Sequence, residues 1–166
     1  MMKEKKAFVS KSYYSINTGM PCASIFFPMY SKANTMIGVF AADIKLDYLQ
    51  SIIEEFSDIE KGEVSFVIDG EGVVVAHPDS SQIEELYNYK TLTKTVSLKD
   101  EAGNPIADEG GNIYTEEHEF KISKDYKTII EKVMSGKSGL DVISDNGKKY
   151  YASYAPIVLS GESDSW

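Results

Sequence analysis

Apolar residues recur along the chain with two different periods, and the places where the period changes locate the elements. Residues 24–30 (Ser-Ile-Phe-Phe-Pro-Met-Tyr) and 36–42 (Met-Ile-Gly-Val-Phe-Ala-Ala) are strand-like runs separated by the polar Ser31, Lys32, Ala33 and Asn34, the pattern of a hairpin. Pro28 predicts an edge position or a bulge, because proline has no N–H to give to a ladder. The second run reads as a buried strand, with Gly38 where another backbone could come close, yet it ends on the carboxylate of Asp43. From Ile44 the period lengthens. Ile44, Leu46, Leu49, Ile52, Ile53 and Phe56 fall on one helical face, and Lys45, Asp47, Gln50, Glu54 and Glu55 on the other. Asp43 at the junction is placed to cap that helix. Its carboxylate would meet the first free amides and the positive end of the dipole, worth about 1 kcal/mol.

After Gly62 the pattern repeats with other residues. Residues 64–68 and 73–77 flank Asp69-Gly70-Glu71-Gly72, a hairpin with glycine-supplied turn geometry, closed by Pro78 and followed by a short helix from Ser80 or Ser81 to Leu86. Residues 88–122 hold an acidic, glycine-rich insertion (100–112) and a hairpin expected between Tyr114 and Lys121. Ser123 is a candidate N-cap for a helix through Met134, with Tyr126, Ile129, Ile130 and Val133 inward and Gly136 as its stop. Asn146-Gly147 joins two alternating runs, 139–144 and 148–155, as a further hairpin. Tyr150, Tyr151 and Tyr154 in the second run read as packing residues. Trp166 stands where another strand would begin.

Composition narrows the function. At 166 residues and 42% hydrophobic content the chain can bury a core. A net charge of -9 argues against nucleic acid and against an anionic membrane surface as partners, since both repel acidic surfaces. All 17 basic residues are lysines, so no bidentate guanidinium fork is available. Residues 1–56 carry six Lys against five acids and residues 57–166 eleven against twenty-one, a break that suggests two units. Cys22 is alone and reads as a core cysteine. The basic start, Lys3 to Lys6, is followed by no apolar region of signal-peptide length, and no run is long enough to span a membrane.

Candidate chemistry is sparse. His77 and His118 have no second histidine or cysteine at ligand spacing, so no metal is expected. His77 reads as a strand-end histidine facing solvent or a backbone carbonyl. Asp100, Asp108 and Glu109 lack the alternation of a calcium loop. Gly70-Glu71-Gly72 is too short for a phosphate loop, and no nucleophile elbow is present. No catalytic residue and no cofactor is expected.

Three short segments, taken in order, carry a resemblance. Ser10-Lys11-Ser12-Tyr13-Tyr14-Ser15-Ile16-Asn17-Thr18-Gly19-Met20-Pro21 is followed by Phe27-Pro28-Met29-Tyr30 and then by Gly38-Val39-Phe40-Ala41-Ala42-Asp43-Ile44. Together they resemble the double Cache family (dCache_1), extracytoplasmic sensor domains of bacterial chemoreceptors, sensor histidine kinases and diguanylate cyclases. Phe66-Val67-Ile68-Asp69-Gly70-Glu71-Gly72 with His77-Pro78-Asp79 resembles the start of that family's membrane-proximal module, and Tyr154-Ala155-Pro156-Ile157 with Trp166 resembles its end.

The resemblance implies an α+β fold of PAS-like Cache modules, each an antiparallel sheet flanked by helices. Residues 1–57 would be the C-terminal part of the membrane-distal module, and residues 58–166 a proximal module lacking its last strand. It implies a ligand site at Tyr13, Ser15 and Asp43. In the amino-acid-binding branch a tyrosine matching Tyr13 and an aspartate matching Asp43 contact the ligand's ammonium group. The arginine and aromatic residues that hold its carboxylate would precede residue 1. Ser15 stands where many members have an acid, and Ala41 where they have glycine. For Asp43, cap and ligand contact remain compatible alternatives. The implied partner is a small molecule such as an amino acid or amine, in a membrane-anchored receptor open to homodimerisation, with a structural or dimerisation spacer as the alternative role.

Overall fold

The computed structural model describes residues 6–145 and 147–158 and the backbone of 162–163. Strand β3 (Pro21–Tyr30) organises the first sheet. Along one edge it pairs antiparallel with β1 (Phe8–Val9) and then β2 (Tyr13–Tyr14), and along the other with β4 (Met36–Lys45). The expected hairpin is present, closed by Asn34 at φ 58. Pro28 pairs only with Val39, beyond the register Phe8↔Phe26, so its missing N–H costs no described ladder bond, and the register shifts just after it, between Met29 and Tyr30.

The long β3–β4 ladder changes the reading of Asp43. Its register runs unbroken from Met29↔Gly38 to Cys22↔Lys45, so Asp43 lies inside β4, opposite Ser24. Helix α1 (Leu46–Glu54) therefore starts only after the ladder ends. Lys45 is its N-cap and makes no side-chain cap bond, and Asp47 is the acid in the first turn. Asp43 is not a helix cap. Nor is its strand buried: β4 pairs with nothing but β3 among the described residues, and Ile37 and Phe40 are 66% and 56% exposed. The atom crowding Gly38 is the methyl of Met29, its register partner, rather than another backbone.

The core gathers at the base of this hairpin. Ala23 and Leu46 join Val74 and Val75 of β6 (Val74–Ala76), Ile83 of α2 (Ser81–Glu84), Tyr89, and Ile130 of α3 (Lys124–Met134). β6 pairs antiparallel with β5 (Val67–Ile68) around the Asp69–Gly72 turn. Only Leu46 of the apolar α1 face is fully buried. Ile52, in the helix, and Phe56, just past its end, stay exposed.

Four of the remaining strands form two antiparallel pairs. β7 (Thr93–Ser97) pairs with β8 (Thr115–Glu119), so the strand expected to form a hairpin inside 114–121 pairs instead across the whole insertion. β9 (Gly139–Asp145) pairs with β10 (Lys148–Tyr154) as the expected hairpin, and Tyr151, expected to pack, is 82% exposed. Tyr154 instead donates to Asp141. Ser123 caps α3 by accepting from the Tyr126 amide. β11 (Glu162–Ser163) runs parallel to β1. Asn146 and Trp166 lie outside the described residues.

Leu46 is wholly shielded from solvent, so Leu46→Ala should lower the unfolding free energy by about 3 kcal/mol through lost transfer energy and a residual cavity. Phe40→Ser, on the open strand, should change it by less than about 0.5 kcal/mol. Urea midpoints at constant slope measure both. A large loss at Phe40 would contradict the exposure of β4.

Candidate functional site

Strand alternation puts neighbouring side chains of β3 on opposite faces. Ala23 enters the core, and Cys22 and Ser24 face the other way, all three buried. Because Tyr13 pairs with Cys22 and Asp43 with Ser24, the register brings a phenol, a thiol, a hydroxyl and a carboxylate to one side of three adjacent strands.

The donors can be assigned. Ser24 Oγ donates to Asp43 Oδ1 at 2.6 Å. Its single proton is then committed, so in the 2.6 Å contact between Tyr13 and Ser24 the phenol is the donor, and it reaches Asp43 Oδ1 as well at 3.2 Å. Ser15 Oγ donates to the other oxygen, Oδ2, at 3.4 Å, the longest of the set. The structure thus gathers Tyr13, Ser15 and Asp43 around Ser24, which the sequence reading missed. A serine in an apolar strand carries no signal of its own until the register sets it opposite Asp43.

Burial differs within the cluster. Ser15 and Ser24 are each 3% exposed, while Asp43 stands at the open rim. Among the described residues no lysine lies within ion-pair distance of Asp43. Its carboxylate is held by neutral hydroxyls alone, and Oδ2 keeps most of its accepting capacity free. Burial pushes the Tyr13 phenol up to about 12, and the neighbouring Asp43 charge adds to the rise. Burial also raises the Cys22 thiol, so Cys22 is a protonated core cysteine facing the cluster.

Two other candidates fall elsewhere. His77 is buried rather than facing solvent: its Nδ1 accepts the Asp79 amide at 2.9 Å, its ring lies 5.6 Å from that of Phe66, and burial lowers its pKa. The pair Asp100 and Asp108 each close a turn on their own backbone, Asp100 accepting from Ala102 and Asn104 and Asp108 from Gly110 and Asn112. Among the described residues no group of three His, Cys, Asp or Glu side chains could hold a metal ion.

The Tyr13 shift fixes a sign. A phenol whose folded value is raised stabilises the fold fully below its ordinary value of 10.0, and that contribution is lost as pH rises through about 12. Urea unfolding between those pH values should therefore show a smaller alkaline loss for Tyr13→Phe than for the unsubstituted chain. Equal losses would show that Tyr13 ionises as freely as a solvated phenol.

Comparison with curated protein sequences gives no match. Among solved structures the chain is similar to the periplasmic sensory domain of the Campylobacter jejuni chemoreceptor Tlp1, with a TM-score of 0.59 and 14% identity over 98% of this chain and 47% of that one. It is also similar to the extracellular domain of mmHK1S-Z3, with a TM-score of 0.54 and 14% identity over 91% and 44% of the two chains. A third likeness, at a TM-score of 0.47 and 18% identity over 90% and 48%, is to the ligand-binding domain of the Pseudomonas aeruginosa PAO1 amino-acid chemoreceptor PctC, solved with GABA. The chain thus spans about half the length of these domains, and at such identities the first two likenesses are of fold. The sequence profile of the Cache domain matches residues 1–166, and the chain belongs to the Cache domain family of sensory, ligand-binding modules.

Proposed function

We propose that the chain is the sensing part of a bacterial transmembrane receptor's extracytoplasmic domain and that it recognises the ammonium end of a small polar ligand, an amine or amino acid, at Asp43. The observation that carries this reading is a rim carboxylate held only by the hydroxyls of Tyr13, Ser24 and Ser15 and matched by no lysine among the described residues. A primary ammonium brings the missing positive charge and three N–H donors. Asp43 Oδ2, which already accepts from Ser15 at 3.4 Å, has lone-pair capacity for one more, and the hydroxyl oxygens of Tyr13 and Ser15 retain lone pairs for others.

The carboxylate of an amino acid would need a cation that this cluster does not supply, so the described residues account for the amine end alone. In this reading residues 1–57 belong to a membrane-distal module and residues 58–166 to a proximal one, and occupancy shifts a two-state arrangement passed toward the membrane. Among the described residues no helix is long and apolar enough to cross a membrane. A second reading, a spacer or dimer contact, draws on the open apolar row Phe27, Met29, Ile37 and Phe40.

Melting against a panel of primary amines, amino acids and carboxylates separates the two. It is run on this chain and on one extended at its N-terminus to the length of the solved domains. A binding amine at a hundred times its Kd should add about 2.7 kcal/mol by mass action. Asp43→Asn, which replaces an acceptor with an amide donor, should fold and lose that gain. No stabilisation by any amine or amino acid, in either length, contradicts ligand sensing at Asp43.

A further inference from the structure

Two residues of the Asp43 cluster, Tyr13 and Ser15, lie on a segment whose other side is tied to the later part of the chain, and the two sets alternate. Tyr13 and Ser15 point to Asp43. Ser12, Tyr14 and Ile16 point away from it. The Ser12 amide donates to Asp69 Oδ2 at 3.3 Å, and Asp69 is 1% exposed. Its other oxygen accepts from the Glu71 and Val73 amides at 3.0 and 2.9 Å, so the same carboxylate closes the β5–β6 turn and holds residue 12. The Tyr14 hydroxyl shares its proton between the carbonyls of Glu84, at the end of α2, and Thr95, in β7, at 2.7 and 2.6 Å.

A third tie comes from the acidic insertion. Its two turns are built alike. Asp100 N donates to Asn104 O and Asp108 N to Asn112 O, while Leu98, Ile106 and Tyr114 join their backbones in a closed ring of three hydrogen bonds. This small repeat is a shaped wedge rather than a loose loop. Ile16 sits against Gly111, where a Cβ would come within 2.5 Å of its methyl group, and Pro105 packs on Gly19, where a Cβ would come within 2.3 Å of the ring. Both glycines also have positive φ, 84° and 66°, so their identity is set by backbone and by close approach together.

The geometry points to residues 12–20 as the element that passes occupancy at Asp43 to the β5–β6 turn, α2, β7 and the insertion, with Tyr14 as its principal positioning residue. The placement deepens the reading of Asp43 as the sensing group and rests on it. The physical reason is mechanical. Tyr13 and Tyr14 are the whole of β2, with Ser12 just before it and Ser15 and Ile16 just after, and so short a segment cannot move its odd side chains toward a ligand without moving its even positions. Those even positions end in a buried carboxylate, two backbone carbonyls and a glycine contact with little slack. Any change in how Tyr13 and Ser15 engage Asp43 is therefore delivered to residues about 55 to 95 positions away in sequence.

Amide hydrogen exchange on the intact 166-residue chain tests this without a ligand. Asp43→Asn keeps one acceptor and puts an amide N–H in place of the other, so either Ser15, or Tyr13 with Ser24, loses its acceptor and must reorient. It should change exchange at residues 83–95 by about fivefold or more. In a Tyr14→Phe background the same substitution should move those amides by no more than about twofold, while residues 22–24 still respond in both backgrounds.

An undiminished response at residues 83–95 in the Tyr14→Phe background overturns the assignment, as does no response there to Asp43→Asn. If Tyr14→Phe does not fold, Ile16→Ala, at an exposed position, takes its place. The Asp43→Asn response of residues 106–112 should then disappear, and its persistence overturns the assignment. Failure of the amine panel with the exchange response intact would reject the ligand and leave the coupling standing.

Discussion

In the β3–β4 ladder Ser24 lies opposite Asp43, and the 2.6 Å bond between their side chains depends on that register. A slip of one residue would send Ser24 into the core and turn Ala23 toward the carboxylate, because successive side chains of a strand face opposite ways. The register is held at the base, where Ala23 and the fully buried Leu46 join the core cluster with Val74 and Val75. Packing below the hairpin thus decides chemistry above it: the hydrophobic anchoring of Ala23 and Leu46 places Asp43 where hydroxyls can hold it and where its second oxygen stays open.

The same alternation gives the segment before β3 its two sides. Tyr13 belongs to the polar cluster, and Tyr14, the next residue, belongs to the framework of α2 and β7. Burial raises both phenols to about 12, so their hydroxyls remain donors well into the alkaline range. Asp69 completes the arrangement from the far side. Burial raises its carboxyl, and three backbone N–H groups oppose that rise, which is why a carboxylate can serve as an internal tie.

Elements whose pattern is local were legible in the sequence: the β3–β4 hairpin, α3 with its Ser123 cap, and the β9–β10 pair each depend on residues within a few turns of one another. What depended on register or tertiary contact was not. Ile44 fits both a strand and a helix period, so periodicity starts the helix two residues early and puts Asp43 at its cap. The partner of β8 lies across an insertion that has no periodicity to reveal it. Tyr13, Ser15 and Asp43 were named through a family resemblance, not through spacing, and Ser24 was missed because its role exists only opposite Asp43. Asp69 showed its turn chemistry in sequence, but its bond to Ser12 spans 57 residues and left no trace there.

If Asp43 reads an amine and its grip is felt through residues 12–20, a crystal structure with a bound amine will hold the ligand nitrogen within about 3 Å of Asp43 Oδ2, with Tyr13 and Ser15 turned toward it and the Tyr14 bonds to Glu84 and Thr95 lengthened or re-formed. A nitrogen bound elsewhere, with Asp43 still held by Ser24, Tyr13 and Ser15 as it is in the free chain, would rule this out.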